Sequence, residues 1–169
     1  MAHNEDFDDV LAANELYARD FDRGGLEPVA ARGLAILTCM DSRIDPLRML
    51  GLSAGDAKIL RNAGARVTED VLRTLVLATH LLGVERVMVV PHTRCRMAQT
   101  TEDEIHAVIL EHGVDTRSLE FRTDPDQASA LRTDLRRIRS YPLLPAGLLV
   151  GGAIYDVATG RLAPLDLGT

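Results

Sequence analysis

The sequence predicts an α/β fold built on a mainly parallel β-sheet that helices flank. Two observations support this prediction. Short strand-type runs at residues 34–38, 57–61 and 86–90 alternate with longer segments in which apolar residues recur at helical spacing. Helix-starting and helix-ending residues such as Thr68 and Gly83 stand at the borders between the two patterns. This alternation is typical of strand–helix–strand units, whose crossovers are right-handed.

Length and composition predict a single domain over residues 1–169. A chain of 169 residues with 46% hydrophobic and 26% charged residues can bury one core but is short for two domains. The net charge is −6 and the arginines are scattered, so we expect no nucleic-acid partner. No uncharged apolar run approaches the ~20 residues that span a bilayer, and the acidic start lacks a secretory signal. We therefore expect no membrane contact and a cytoplasmic location.

The first predicted element is a helical arm within residues 1–22. Its apolar side chains recur at helical spacing and form one stripe on an acidic helix: Phe7, Val10, Leu11, Tyr17 and Phe21. Gly24, Gly25 and Pro28 then end the helix. A single domain whose sheet is flanked by helices has few uncovered faces left, so we expect this arm to pack on a second copy of the chain. The alternative is that it folds back on its own sheet.

The next elements alternate between strand and helix. A strand at Leu34–Thr38 ends at Cys39, and Asp45 and Pro46 begin a short helix that closes near Gly51. A second strand follows at residues 57–61. A long helix then runs from Thr68 to about Leu82 and points Val71, Leu72, Leu75, Leu81 and Leu82 inward. The third strand, residues 86–90, ends just before His92.

The C-terminal half predicts two helices and a hairpin. Thr101 and Glu104 fit a capping box for a helix that stops at Gly113. A second helix begins at residues 124–127 and carries Leu131, Leu135 and Ile138 on one side. A last strand over residues 148–155 folds back through residues 158–160 into a C-terminal hairpin that ends near Leu165.

Three potential metal ligands follow two of the predicted strands. Cys39 follows the first strand, whereas His92 and Cys95 follow the third. In open parallel sheets ligands bind beyond the carboxyl ends of the strands, where the strand order reverses. If the order is 2-1-3-4, the first and third strands are neighbours and the three side chains meet at that point.

Two thiolates and an imidazole predict a catalytic Zn²⁺ site. Zinc favours these ligands, and a catalytic zinc uses three protein groups and leaves a fourth position for water. A cysteine at a strand end is more often a small buried hydrophobic residue, which remains the alternative for Cys39. Asp41 and Arg43 weigh against that alternative, because in extended backbone they lean to the same side as Cys39.

Three segments resemble the signature blocks of β-class carbonic anhydrases, and they occur in the same order. They are Cys39-Met40-Asp41-Ser42-Arg43, Arg61-Asn62-Ala63-Gly64 and His92-Thr93-Arg94-Cys95. The resemblance extends from about Leu34 to the C-terminal hairpin. The compact C-terminal half is similar to the small actinobacterial-type members of that family.

The resemblance implies reversible hydration of carbon dioxide to bicarbonate by a zinc-bound hydroxide. Cys39, His92 and Cys95 would hold the zinc, and Asp41 with Arg43 would be the catalytic pair. The substrate-binding segment Asn62, Ala63 and Gly64 would turn beside the metal, although a plain glycine-containing loop explains that segment equally well. Family resemblance also implies a homodimer, or a dimer of dimers, in which N-terminal helices reach across to the partner.

Two further functions remain open at this stage. The first is hydrolysis of carbonyl sulfide or carbon disulfide with the same ligands. The second is a non-catalytic zinc protein in which Asp41 stays on the metal and closes the site. The chain also departs from the family pattern at Arg94 and Arg96, where a small polar or acidic residue and a glycine are usual. These arginines could narrow the entrance or attract anions.

Overall fold

A computed structural model describes residues 5–166. The predicted arm and domain also include residues 1–4 and 167–169, which lie outside the described residues. The helices are α1 (Asp8–Arg19), α2 (Glu69–Leu81), α3 (Arg96–Gln99), α4 (Glu102–Glu111) and α5 (Gln127–Arg139). The strands are β1 (Leu34–Cys39), β2 (Ala57–Asn62), β3 (Arg86–Val90), β4 (Leu149–Tyr155) and β5 (Leu162–Pro164). Single 3₁₀ turns lie at Glu5–Phe7, Arg48–Leu50 and Ala63–Ala65.

The five strands form one sheet in the order β2-β1-β3-β4-β5. β1 pairs in parallel with β2 on one side and with β3 on the other, and β3 pairs in parallel with β4. β5 pairs antiparallel with β4, as the predicted hairpin requires. The predicted order 2-1-3-4 and the α/β class are therefore confirmed.

The central strand and two helices form the core. Ile36 and Leu37 of β1 have no exposed surface, and α2 and α5 bury their apolar stripes, including Leu75 and Leu135. Gly152 of β4 lies directly under α5, where a Cβ atom would come within 3.0 Å of the Cδ1 atoms of Leu131 and Leu135. The close approach of α5 to the sheet therefore depends on this glycine.

Local signals set most helix starts as predicted. Thr68 caps α2 by accepting a hydrogen bond from the N–H of Val71, and Thr101 with Glu104 makes the full capping box of α4. The inward placement of Leu81 was wrong, because this residue is 71% exposed at the last turn of α2. The four-residue helix α3 was not predicted, since so short a segment carries no periodicity.

Helix α1 has the predicted apolar stripe but buries none of it. None of its described residues is buried, and Phe7, Val10 and Tyr17 are each more than half exposed. The helix therefore does not fold back on its own sheet in this arrangement. Among residues 5–166, no helix has the length and apolarity needed to cross a bilayer.

Candidate metal centre

Three side chains from two neighbouring strands meet at the carboxyl edge of the sheet. Cys39 is the last residue of β1, His92 lies two residues beyond β3, and Cys95 directly precedes α3. Because β1 and β3 are parallel neighbours, their ends lie side by side. The Sγ atoms and a ring nitrogen of the three residues all lie within 4.8 Å of one another, and all three residues are buried.

A hydrogen bond to the backbone of the next residue orients the ring of His92. Nδ1 lies 2.8 Å from the carbonyl oxygen of Thr93, which can only accept, so Nδ1 carries the proton. Nε2 is then left with a free lone pair. It is the one buried side-chain nitrogen or oxygen without a hydrogen-bond partner among the described residues. A buried acceptor with no donor is costly in an apolar protein interior, and a metal ion would satisfy it.

The two sulfur atoms fit a tetrahedral zinc. Their separation is 4.0 Å. Zinc–sulfur bonds of about 2.3 Å at tetrahedral angles place two sulfurs about 3.8 Å apart. The N–H of Gly64 also donates to the Sγ of Cys39 over 3.4 Å, which stabilises a thiolate there. Thiolate, thiolate and imidazole at this spacing fit Zn²⁺.

The cysteine pair readily holds one negative charge. A hydrogen bond from the thiol of Cys95 holds the pKa of Cys39 well below its usual range. The same bond, formed with a thiolate, raises the pKa of Cys95. Because thiolates are the metal-binding form, a divalent cation would replace the shared proton and compensate both charges.

Asp41 and Arg43 form a two-point ion pair beside these ligands. Nε of Arg43 donates to Oδ1 of Asp41 over 2.9 Å, and Nη2 donates to Oδ2 over 2.6 Å. This pairing holds the pKa of Asp41 well below its usual range. Oδ2 of Asp41 lies 3.6 Å from Nε2 of His92. An ionised carboxylate therefore stands at the edge of the ligand cluster.

The segment at residues 62–64 meets the cluster through its backbone. The side chain of Asn62 spans the turn, because Nδ2 donates to the carbonyl of Arg66 and Oδ1 accepts from the N–H of Arg66. Gly64 has a φ of 78°, and a Cβ atom there would come within 3.2 Å of Met97. Glycine thus brings the backbone N–H up to the Cys39 sulfur. Ala63 lies in the same 3₁₀ turn.

The two unusual arginines occupy different backbone conformations. Arg94 has a φ of 56°, in the left-handed region, and its carbonyl accepts a hydrogen bond from Nη2 of Arg43 over 3.2 Å. Arg96 is the first residue of α3, where any residue is conformationally allowed. Both arginines are exposed. The fold therefore does not require a glycine at position 96.

The sequence analysis did not predict the residues that bind the backbone of the His92 loop by hydrogen bonds. Gln127 donates from Nε2 to the carbonyl of His92 over 2.7 Å. The N–H of Thr93 donates to the carbonyl of Tyr155, which ties the ligand loop to the end of β4. No motif marks these contacts, because each joins segments more than 30 residues apart in the chain.

Comparison with known proteins decides the family. The family model for carbonic anhydrases matches residues 34–162, which include all three signature segments. The chain belongs to the β-class carbonic anhydrase family. Beta-carbonic anhydrase 1 of Mycobacterium tuberculosis is 37% identical over 155 residues, which cover 92% of this chain and 94% of that protein.

Relatives in this family carry more than one activity. The crystal structure of a carbonic anhydrase from Streptococcus mutans superposes with a TM-score of 0.90 at 37% identity, covering 95% of this chain and 97% of that one. A carbon disulfide hydrolase of Saccharolobus solfataricus is 31% identical over 157 residues, covering 78% of this chain and 76% of that protein. Membership of the β-class family is therefore shown, whereas the reaction has to be argued from the site.

Proposed function

We propose that this chain catalyses the reversible hydration of carbon dioxide to bicarbonate at a zinc ion. The proposed ligands are Cys39, His92 and Cys95. The observation that carries the proposal is the buried, unpartnered Nε2 of His92 beside two sulfur atoms 4.0 Å apart. Three protein ligands are the number that a catalytic zinc uses.

Bound zinc would supply the nucleophile, because it lowers the pKa of a coordinated water toward neutrality. The proposed role of Asp41 is to orient that water. Its carboxylate stays ionised at neutral pH because Arg43 lowers its pKa, so it can only accept a hydrogen bond. Asp41 would accept the hydrogen of this water beside Nε2 of His92, which would leave the lone pair of the water facing the substrate. Arg43 keeps the carboxylate in that orientation through two hydrogen bonds.

The same ion pair favours an open site over the closed, non-catalytic alternative. As a fourth ligand, Asp41 would have to give up its bonds to the guanidinium of Arg43. The backbone N–H of Arg43 also donates to Oδ1, which adds a third bond to that carboxylate. The carbonyl of Arg94 in turn holds Nη2 of Arg43. The energetic preference therefore lies with an Asp41 that stays off the metal.

Carbon disulfide hydrolysis is the second candidate, since relatives with that activity share the family. The carbonic anhydrase match covers 92% of this chain at 37% identity, whereas the carbon disulfide hydrolase match covers 78% at 31%. The difference favours carbon dioxide as the substrate.

One pair of assays tests the reaction. Zinc-loaded protein is mixed with carbon dioxide, carbonyl sulfide or carbon disulfide, and proton or sulfide release is followed by stopped flow. The expected result is rapid proton release with carbon dioxide that is lost after zinc removal and restored by zinc. Sulfide release without carbon dioxide hydration would assign the chain to the hydrolases instead.

We also propose that the working unit is a homodimer in which α1 packs on the partner. The stripe exposes four large apolar side chains and Tyr17, a pattern that needs a covering surface. The proposed location of the protein is the cytoplasm, and its proposed substrate is a small molecule.

A further inference from the structure

Arg61 joins the edge strand β2 to the segment that carries both a proposed ligand and the proposed catalytic carboxylate. It stands opposite Thr38 in the β1–β2 ladder, one position before the final pair. Its guanidinium extends past the end of β1. Nε donates to the carbonyl of Cys39 over 3.0 Å, and Nη2 donates to the carbonyl of Asp41 over 2.7 Å.

The segment that Arg61 binds leaves the sheet at Met40, and other hydrogen bonds, such as those from Arg43 to the Asp41 carboxylate, also hold it. Met40 makes a ladder bond from its N–H to the carbonyl of Asn62, after which the chain leaves the sheet. Met40 as a residue is 68% exposed, so packing contributes little to its position. The N–H of Ile44 donates to the same Asp41 carbonyl that Arg61 binds. Arg61 thus supplies the contact from β2 that spans from Cys39 to Asp41.

We propose that Arg61 is a positioning residue of the metal centre. By binding the carbonyls on both sides of Met40, it fixes the sulfur of Cys39 relative to the carboxylate of Asp41. The planar guanidinium presents two N–H groups on one edge, which a lysine ammonium cannot reproduce as a rigid pair. The effect on turnover rests on the proposed function, whereas the effect on metal retention rests on the ligand geometry alone.

The test compares Arg61→Met and Arg61→Lys with the control Arg139→Met. Arg139 is also exposed and donates from Nη2 to a strand carbonyl, that of Val150, over 2.7 Å. Zinc release to a chromogenic chelator, carbon dioxide hydration and the thermal midpoint are measured for each protein. Loss of a residue that orients metal ligands changes metal affinity or activity by about 10- to 100-fold.

The expected result is that Arg61→Met releases zinc at least about tenfold faster and loses kcat to a similar degree. Arg61→Lys should fall between this variant and the wild type, and Arg139→Met should match the wild type in both rates. Wild-type zinc release by Arg61→Met would overturn the proposal, as would equally fast release by Arg139→Met. If the wild type does not hydrate carbon dioxide, the proposed function fails while the zinc-release comparison still decides the role of Arg61.

Discussion

Replacing Asp41 by Asn is the most direct test of the proposed catalytic pair. The amide keeps Oδ1, which accepts from the N–H and Nε of Arg43, but it turns Oδ2 into an NH₂ group. That change removes the 2.6 Å bond from Nη2 of Arg43 and the acceptor 3.6 Å from Nε2 of His92. A hydrogen bond to a charged group contributes about 1.5–3 kcal/mol. At about 1.4 kcal/mol per factor of ten, kcat should fall about 10- to 150-fold.

The assay is stopped-flow hydration of carbon dioxide, run beside a measurement of bound zinc. Asp41→Asn should keep its zinc, because Asp41 is not among the three clustered ligands. Asp115→Asn is the matched control. Asp115 and Arg117 have the same spacing and the same two-point pairing on an exposed loop, with Nη2 donating to Oδ2 over 2.6 Å. Near-wild-type kcat in Asp41→Asn would refute the role of Asp41, and zinc loss in that variant would make Asp41 a ligand.

The remaining predictions concern the ligands, the arm and the carboxylate of Glu102 in α4. Each of the ligand variants should lose most of its zinc, because two remaining ligands hold the ion poorly; the variants are Cys39→Ser, His92→Ala and Cys95→Ser. Zinc is measured by elemental analysis, and the control His112→Ala should keep a full equivalent. A full equivalent of zinc in one of the ligand variants would show that its residue is not a ligand. Deleting residues 1–22 should give a monomer by light scattering, and a stable truncated dimer would show that α1 is not the contact. Glu102→Gln should destabilise the fold by about 1 kcal/mol at pH 7, a value reduced because the side chain is 34% exposed. Burial raises the pKa of Glu102, but hydrogen bonds from the N–H groups of Phe121 and Thr123 outweigh it and lower the pKa. The stabilisation is therefore present above the unfolded-state pKa of about 4.3 and is lost as the pH falls through the lower folded-state pKa. The difference in the free energy of urea unfolding between Glu102→Gln and the wild type should then shrink in acid. A difference that stays the same in acid would contradict this prediction.

The structure confirms most of the predictions that rested on local or periodic signals. Strand β3 has the predicted bounds, and the capping box of α4 forms at Thr101 and Glu104. The strand order 2-1-3-4 is also confirmed; it was the order that would bring Cys39 and His92 together at one edge of the sheet. The prediction failed for Leu81, since helical spacing does not say where the neighbouring layer ends. Arg96 begins a helical turn that needs no glycine, and the two alternatives for its effect on the entrance stay predictions.

The sequence by itself determined which residues could bind a metal and in which order along the chain they occur. Thiol, imidazole and carboxylate chemistry depends on residue type, and β1 and β3 carry these groups to the same edge of the sheet. Only the tertiary structure decided which contacts each of these groups makes. It left Nε2 of His92 without a partner, and it directed Arg61 to the carbonyls of Cys39 and Asp41. Such contacts join segments that are distant in sequence, so their geometry depends on how the strands and helices pack together and not on any local pattern.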